Sequence, residues 1–143
     1  MTRVDFYLLE RADRRQRLDF CCRLVEKAWH RGHRIYVHTG DAALTRALDE
    51  RLWTFRAGSF VPHQPAGDDA GSDCPVLIGH DAEPPATREV LVNLAAEVPL
   101  FFSRFPRLAE VVSAEPDDRD QARERYRFYR ERGYDLHTHR LEG

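Results

Sequence analysis

Apolar residues fall into short clusters separated by polar punctuation, and two periods alternate along the first third of the chain. Residues 3–9 (RVDFYLL) are rich in β-formers and predict a first strand. Asp13 then opens a helix, with Gln16 three residues on in capping-box spacing. Leu18, Cys21, Cys22, Val25, Ala28 and Trp29 follow at helical intervals up to Gly32, a stop signal. Residues 34–38 (RIYVH) predict a second strand, and Asp41 begins a second helix with Leu44, Leu48 and Leu52 on one face. Strand, helix, strand, helix in this order predicts an α/β fold with parallel strands.

The pattern breaks between Trp53 and Cys74. Pro62, Pro65, Gly58, Gly67 and Gly71 mix there with Asp68, Asp69 and Asp73, which reads as a long loop. Strands resume at 75–79 (PVLIG) and 89–94 (EVLVNL), the second of which also fits a helix. A helical turn at 100–105 and a strand at 108–112 come next. A last helix spans 117–132 and stops at Gly133, and 134–141 closes the chain as a strand or tail. No internal repeat or interdomain linker interrupts residues 1–143, which read as one domain.

Composition narrows the classes. Hydrophobic residues make up 42% and charged residues 32% of 143 positions, a soluble globular balance. No apolar run is long enough for a membrane span, and charges interrupt the N-terminus before any signal core forms, so a cytoplasmic protein without a membrane partner is expected. Three cysteines, two of them adjacent, fit buried reduced thiols rather than a disulfide framework. The net charge of −2 disfavours extensive gripping of duplex DNA.

Catalytic motifs are missing. The loop after the first strand, Glu10-Arg11-Ala12-Asp13, has no glycine to bring backbone against a phosphate, and neither nucleotide fingerprint occurs. Ser59, Ser103 and Ser113 lack a nucleophile elbow, and the pairs His30/His33 and His137/His139 lack metal-site partners, so exposed or capping histidines are expected. The expectation is no catalytic residue, no cofactor and no metal.

Two stretches look like binding surfaces. In the last helix, Arg119, Arg123, Arg127 and Arg130 fall within an arc of roughly 80°, bordered by Ala122, Tyr126 and Tyr129. Such a border suits an acidic peptide ending in an apolar side chain and a carboxylate, because guanidinium groups pair bidentately with carboxylates. Glu124 and Glu131 can also pair with these arginines, and taken alone the residues slightly favour a solvated face. The second stretch, Trp53-Thr54-Phe55 with Ser59-Phe60-Val61-Pro62-His63, is aromatic enough for an interface. By itself it reads as a loop folded over the core.

Four blocks in order, Phe6-Tyr7-Leu8-Leu9, Leu48-Asp49-Glu50-x-Leu52-Trp53, Ser59-Phe60-Val61-Pro62-His63 and Ala122-Arg123-Glu124-Arg125-Tyr126-x-x-Tyr129-Arg130, resemble the chi subunit of bacterial DNA polymerase III over nearly the whole chain. The resemblance implies a single-domain Rossmann-like three-layer α/β sandwich with a mostly parallel sheet and no nucleotide-binding loop. It implies a non-catalytic accessory subunit of the clamp-loader complex in the cytoplasm, at the replication fork. It further implies that Arg119, Arg123, Tyr126 and Arg127 hold the acidic C-terminal tail of single-stranded DNA-binding protein. Trp53, Phe60, Val61 and Pro62 would face the psi subunit, with a repair helicase as a further candidate partner and DNA reached mainly indirectly. The rivals from other classes are a small nucleotide-dependent or hydrolytic α/β enzyme and a direct single-stranded nucleic-acid binder using the basic stripe.

Overall fold

In the computed structural model, which describes residues 1–66, 73–80, 84 and 88–141, a seven-stranded sheet lies between two helical layers. In chain order the elements are β1 (Arg3–Leu9), α1 (Arg14–His30), β2 (Ile35–His38), α2 (Ala42–Thr54), β3 (His63–Pro65), β4 (Val76–Gly79) and β5 (Val90–Asn93). A 3-10 turn (Phe102–Arg104), β6 (Arg107–Val112), α3 (Pro116–Glu131) and β7 (Asp135–Leu141) complete them. Strand order is β3-β4-β2-β5-β6-β1-β7, and every pairing is parallel. The Rossmann-like three-layer expectation therefore holds.

The two faces of the sheet are built by alternation. Val4 and Phe6 of β1 point one way, toward Tyr36, Leu91, Leu108 and the α3 residues Ala122 and Tyr129. Leu9, Ile35, Val37, Val76, Ile78, Val92 and Val111 point the other way, against Cys21, Cys22 and Val25 of α1 and Leu48 and Leu52 of α2. The central strands are buried on both sides, which is why they read as unbroken apolar runs rather than as alternating ones.

The helix ends follow their local chemistry. Asp13 caps α1 by accepting from the Arg15 N–H at 2.9 Å. The reciprocal half of the expected capping box is missing, since Gln16 Oε1 is buried without a hydrogen-bond partner. Asp41 caps α2 by accepting from the Leu44 N–H at 2.7 Å. Gly32 and Gly133 adopt positive φ (86° and 79°) just after α1 and α3, the left-handed step that glycine takes at least cost.

The stretch expected as one long loop contains regular structure. Trp53 belongs to α2, and residues 63–65 form the edge strand β3. Three residues including a proline are too short for a period to show, and proline is tolerated because this is an outer strand. The acidic segment 67–72 lies outside the described residues. Cys21 and Cys22 are buried free thiols, with burial pushing the Cys21 thiol up to about 12. Cys74, expected to be buried with them, is only half-buried because it sits before β4 rather than within a helix face.

Candidate functional site

Helix α3 is aimed by a polar cluster that the sequence does not announce. Its Arg125 is buried, donating from Nε to Glu110 Oε1 at 3.0 Å and from Nη1 to the Ala96 carbonyl at 2.8 Å. Glu110 of β6 is fully buried and also accepts from the Tyr129 hydroxyl at 2.7 Å and from Asn93 Nδ2 at 3.0 Å. Burial pushes the Glu110 carboxyl above its ordinary range, outweighing the pull of Arg125, Tyr129 and Asn93. This network clamps α3 onto β5 and β6, so its opposite side faces solvent.

That outer side carries the predicted stripe. Arg123 and Arg127 are exposed and pair with Asp120 at 2.5 Å and Glu124 at 3.2 Å, each within its own helix. Exposed pairs of this kind contribute about 0–1 kcal/mol, so an incoming carboxylate can exchange for them. Tyr126 is half-buried, its ring set edge-on against Phe6 at 5.4 Å. Arg130 is exposed further along the helix. Arg119 is differently employed: Nε donates to the Ser113 carbonyl at 2.8 Å and Nη2 to the Leu9 carbonyl at 2.6 Å. It ties the start of α3 to the ends of β1 and β6. The expected aromatic seam is mostly the core-facing edge of the helix, since Ala122 and Tyr129 are buried.

The second predicted surface lies on the other layer, beyond α2. Trp53 and Phe60 are 55% and 59% exposed, with ring centroids 5.6 Å apart. Their exposure means that neither ring is held by the core. Val61 is buried at 1%, and Pro62 is half-buried. The Val61 side chain belongs to the core because the chain turns inward there to reach β3. His63 pins this turn through contacts of its ring nitrogens with the Val61 carbonyl at 2.6 Å and the Asp49 carbonyl at 3.0 Å. Ser59 and Arg56 both donate to the buried Glu26 of α1, fixing the base of the loop. Sequence reasoning missed Glu26 and Glu110. The available signal was a charged residue inside an otherwise apolar face.

A cleft of about 770 Å³ opens at the C-terminal ends of β1, β2, β5 and β6, where the α/β rule places ligands. Here it is rimmed by Asp41, Glu115, Asp117 and Asp118, with Arg14 and Arg17. Asp118 accepts from the Ser113 N–H and hydroxyl at 2.8 Å, and Arg17 donates to the Val111 and Leu94 carbonyls. A phosphate arriving there would meet the carboxylates Glu115, Asp117 and Asp118 at the start of α3 and an α2 N-terminus already capped by Asp41.

The histidines expected to be exposed or capping are partly otherwise. His139 Nε2 lies 2.9 Å from the buried Asp5 carboxylate, and its ring stacks on Tyr7 at 4.8 Å. It sits next to β1 because residues 135–141 are a strand, not a tail.

Fold and surfaces together define a Rossmann-like α/β protein that lacks a glycine-rich phosphate loop and displays its cationic and aromatic groups on outer faces. The crystal structure of T4 UvsW shares this fold alone: TM-score 0.69 and 5% identity, covering 99% of this chain and 42% of that one. Residues 1–137 match the family described as DNA polymerase III chi subunit, HolC. The chain is 48% identical to DNA polymerase III subunit chi of Pseudomonas aeruginosa, covering 99% of this chain and 98% of that protein. It is 31% identical to subunit chi of Escherichia coli, covering 96% and 97%. The chain belongs to the chi-subunit family of DNA polymerase III.

Proposed function

We propose that this subunit is a non-catalytic tether, linking DNA polymerase III to the acidic C-terminal tail of single-stranded DNA-binding protein through α3 and to a psi subunit through Trp53, Phe60 and Pro62. The observation that carries the reading is the exposed pair Arg123 and Arg127, each held by an exchangeable ion pair on the helix that also carries the half-buried Tyr126. The guanidinium groups take the tail's carboxylates, and the tyrosine edge offers an apolar step for its terminal Phe. Arg119 acts through position, anchoring the helix start. Exposed Trp53 and Phe60 supply an aromatic anchor for the second partner, and Val61 holds that loop from beneath.

The work done is local concentration. Single-stranded DNA coated by its binding protein presents many tails, and repeated capture of them keeps the polymerase near the fork in the cytoplasm. Calorimetry with a synthetic tail peptide tests this. Wild type binds, and Arg123→Ala weakens binding by about 1–3 kcal/mol, the size of a lost charge-assisted hydrogen bond. An unchanged dissociation constant refutes the assignment.

A further inference from the structure

The net charge of −2 hides an uneven distribution. Helix α1 packs over β2 and β6, its Phe20 ring reaches Tyr7 of β1, and β7 forms the outer edge of that face. A groove runs between α1 and the strands β1 and β6. One wall is the exposed row of Arg23 and Lys27 on α1 and Arg31 at its C-cap. The other side carries Arg3 and Arg107, with His137 and His139 on β7. Lys27, Arg31 and Arg107 converge on one depression with Asp5 and Tyr7 at its floor.

The buried carboxylate on this face is engaged. Asp5 accepts from Arg3 Nε and Arg107 Nη2, both at 3.2 Å, and contacts His139 Nε2 at 2.9 Å. Its carboxyl stays below the ordinary range: burial pushes it up, but the bonds from His139, Arg3 and Arg107 outweigh burial. At the rim, Asp135 lies 2.9 Å from His137 Nε2, and Glu89 accepts from the Arg34 N–H at 3.0 Å. One buried carboxylate thus organises cations and leaves a positive excess above it.

Between the charged walls runs a ladder of rings. Phe20 lies 5.4 Å from Tyr7, and Tyr7 stacks on His139 at 4.8 Å with planes 18° apart. Arg23 sits 5.9 Å from the Phe20 ring centroid. Cations that track a backbone, interleaved with half-buried ring faces, are the makings of a single-stranded nucleic-acid groove: phosphates take the guanidinium and ammonium groups, and unpaired bases stack. A duplex has no free base faces to offer the rings.

We infer that the groove between α1 and the strands β1 and β6, with β7 at its edge, binds single-stranded DNA directly, by a surface separate from the α3 stripe. The two surfaces lie on opposite faces of the sheet. A coating protein's tail held on α3 would leave adjoining bare strand free to pass around the β7 edge.

The test is fluorescence anisotropy of the full chain with a labelled oligothymidylate in the absence of any coating protein, over a series of salt concentrations. Wild type is expected to bind and to weaken as salt rises. Arg23→Gln/Lys27→Gln is expected to lose about tenfold in affinity, its log–log salt slope falling by about 0.7 for each phosphate contact removed. Glutamine is as good a helix former as the residues replaced, so circular dichroism and the melting temperature stay as in wild type. Arg123→Ala/Arg127→Ala is expected to bind the oligonucleotide as wild type does while losing the tail peptide, which separates this site from the tether. The inference is overturned if wild type does not bind at low salt, or if the α1 double variant binds equally well. It is also overturned if a duplex of the same length binds as tightly, or if the α1 variant loses the tail peptide instead of the oligonucleotide.

Discussion

Replacing Arg125 with leucine tests the clamp that orients α3. The side chain is almost fully buried and its partner Glu110 has no exposed surface. The substitution removes the Nε bond to Glu110 and the Nη1 bond to the Ala96 carbonyl. It leaves a buried carboxylate with neutral donors only, Tyr129 and Asn93. Breaking a buried pair from one side costs about 3–5 kcal/mol. A chain of 143 residues has roughly 7–20 kcal/mol of total stability, so the loss is large but survivable. The melting temperature should fall by about 6–20 °C. A second change, Glu110→Gln, removes the stranded charge while keeping an oxygen for Tyr129 and Asn93. The double variant should therefore be more stable at pH 7 than Arg125→Leu alone, a positive coupling in a double-mutant cycle. The pH dependence has a definite sign. Burial already raises the Glu110 carboxyl in the native state, and without Arg125 it rises further. The native state then holds the proton more tightly than the unfolded chain, so stability falls as pH rises through that window and recovers on acidification. Urea titrations followed by circular dichroism at about pH 7 and about pH 5.5 measure both effects. Purely additive losses, or an Arg125→Leu variant that gains nothing at the lower pH, would refute the clamp.

Further outcomes follow from single sites. Arg119→Ala should cost about 1.5–3 kcal/mol of stability in urea titration, because it frees two carbonyls that it now bonds, whereas Arg123→Ala should leave stability within about 0.5 kcal/mol. Phe60→Ala should keep the wild-type melting temperature yet weaken psi in calorimetry, while Val61→Ala should cost about 2 kcal/mol of folding stability. Asp5 is held below the ordinary carboxyl range, so its contribution is complete above the unfolded value and lost as pH falls through the native one. Asp5→Asn should accordingly flatten the acid limb of the stability curve between about pH 5 and pH 2. Gly79→Ala should destabilise by about 1–3 kcal/mol in thermal melts, since an added Cβ would lie 2.1 Å from the Tyr36 hydroxyl oxygen.

The elements that could be read from the chain were those whose burial is one-sided or whose ends carry their own caps. Helix α1 shows both, in the Cys21–Val25 face and in Asp13. The strand β3 could not be read, because its three residues take their conformation from β4 beside them. The α3 stripe was visible because helical spacing alone puts Arg123 and Arg127 together. The different employment of Arg119 was not, since its acceptors at Leu9 and Ser113 depend on the fold. Trp53 and Phe60 were visible as aromatics, but whether they face inward or outward is decided by the turn at Val61 and His63. The groove beside α1 escaped notice altogether. Its cations come from three separated stretches that only the sheet order brings side by side.

That order has a consequence during synthesis. Strand β1 is made first, yet both of its neighbours, β6 and β7, are made last, with pairings such as Val4 to Leu108 and Val4 to Leu136. On the ribosome the opening segment must wait unpaired while more than a hundred residues are added, and the sheet closes only after β7 has left the exit tunnel. Contacts so distant along the chain make folding slow and leave an exposed hydrophobic strand in the nascent polypeptide. A chain cut short before residue 135 would carry β1 as a bare edge, open to pairing with other molecules and to the proteases that clear such fragments.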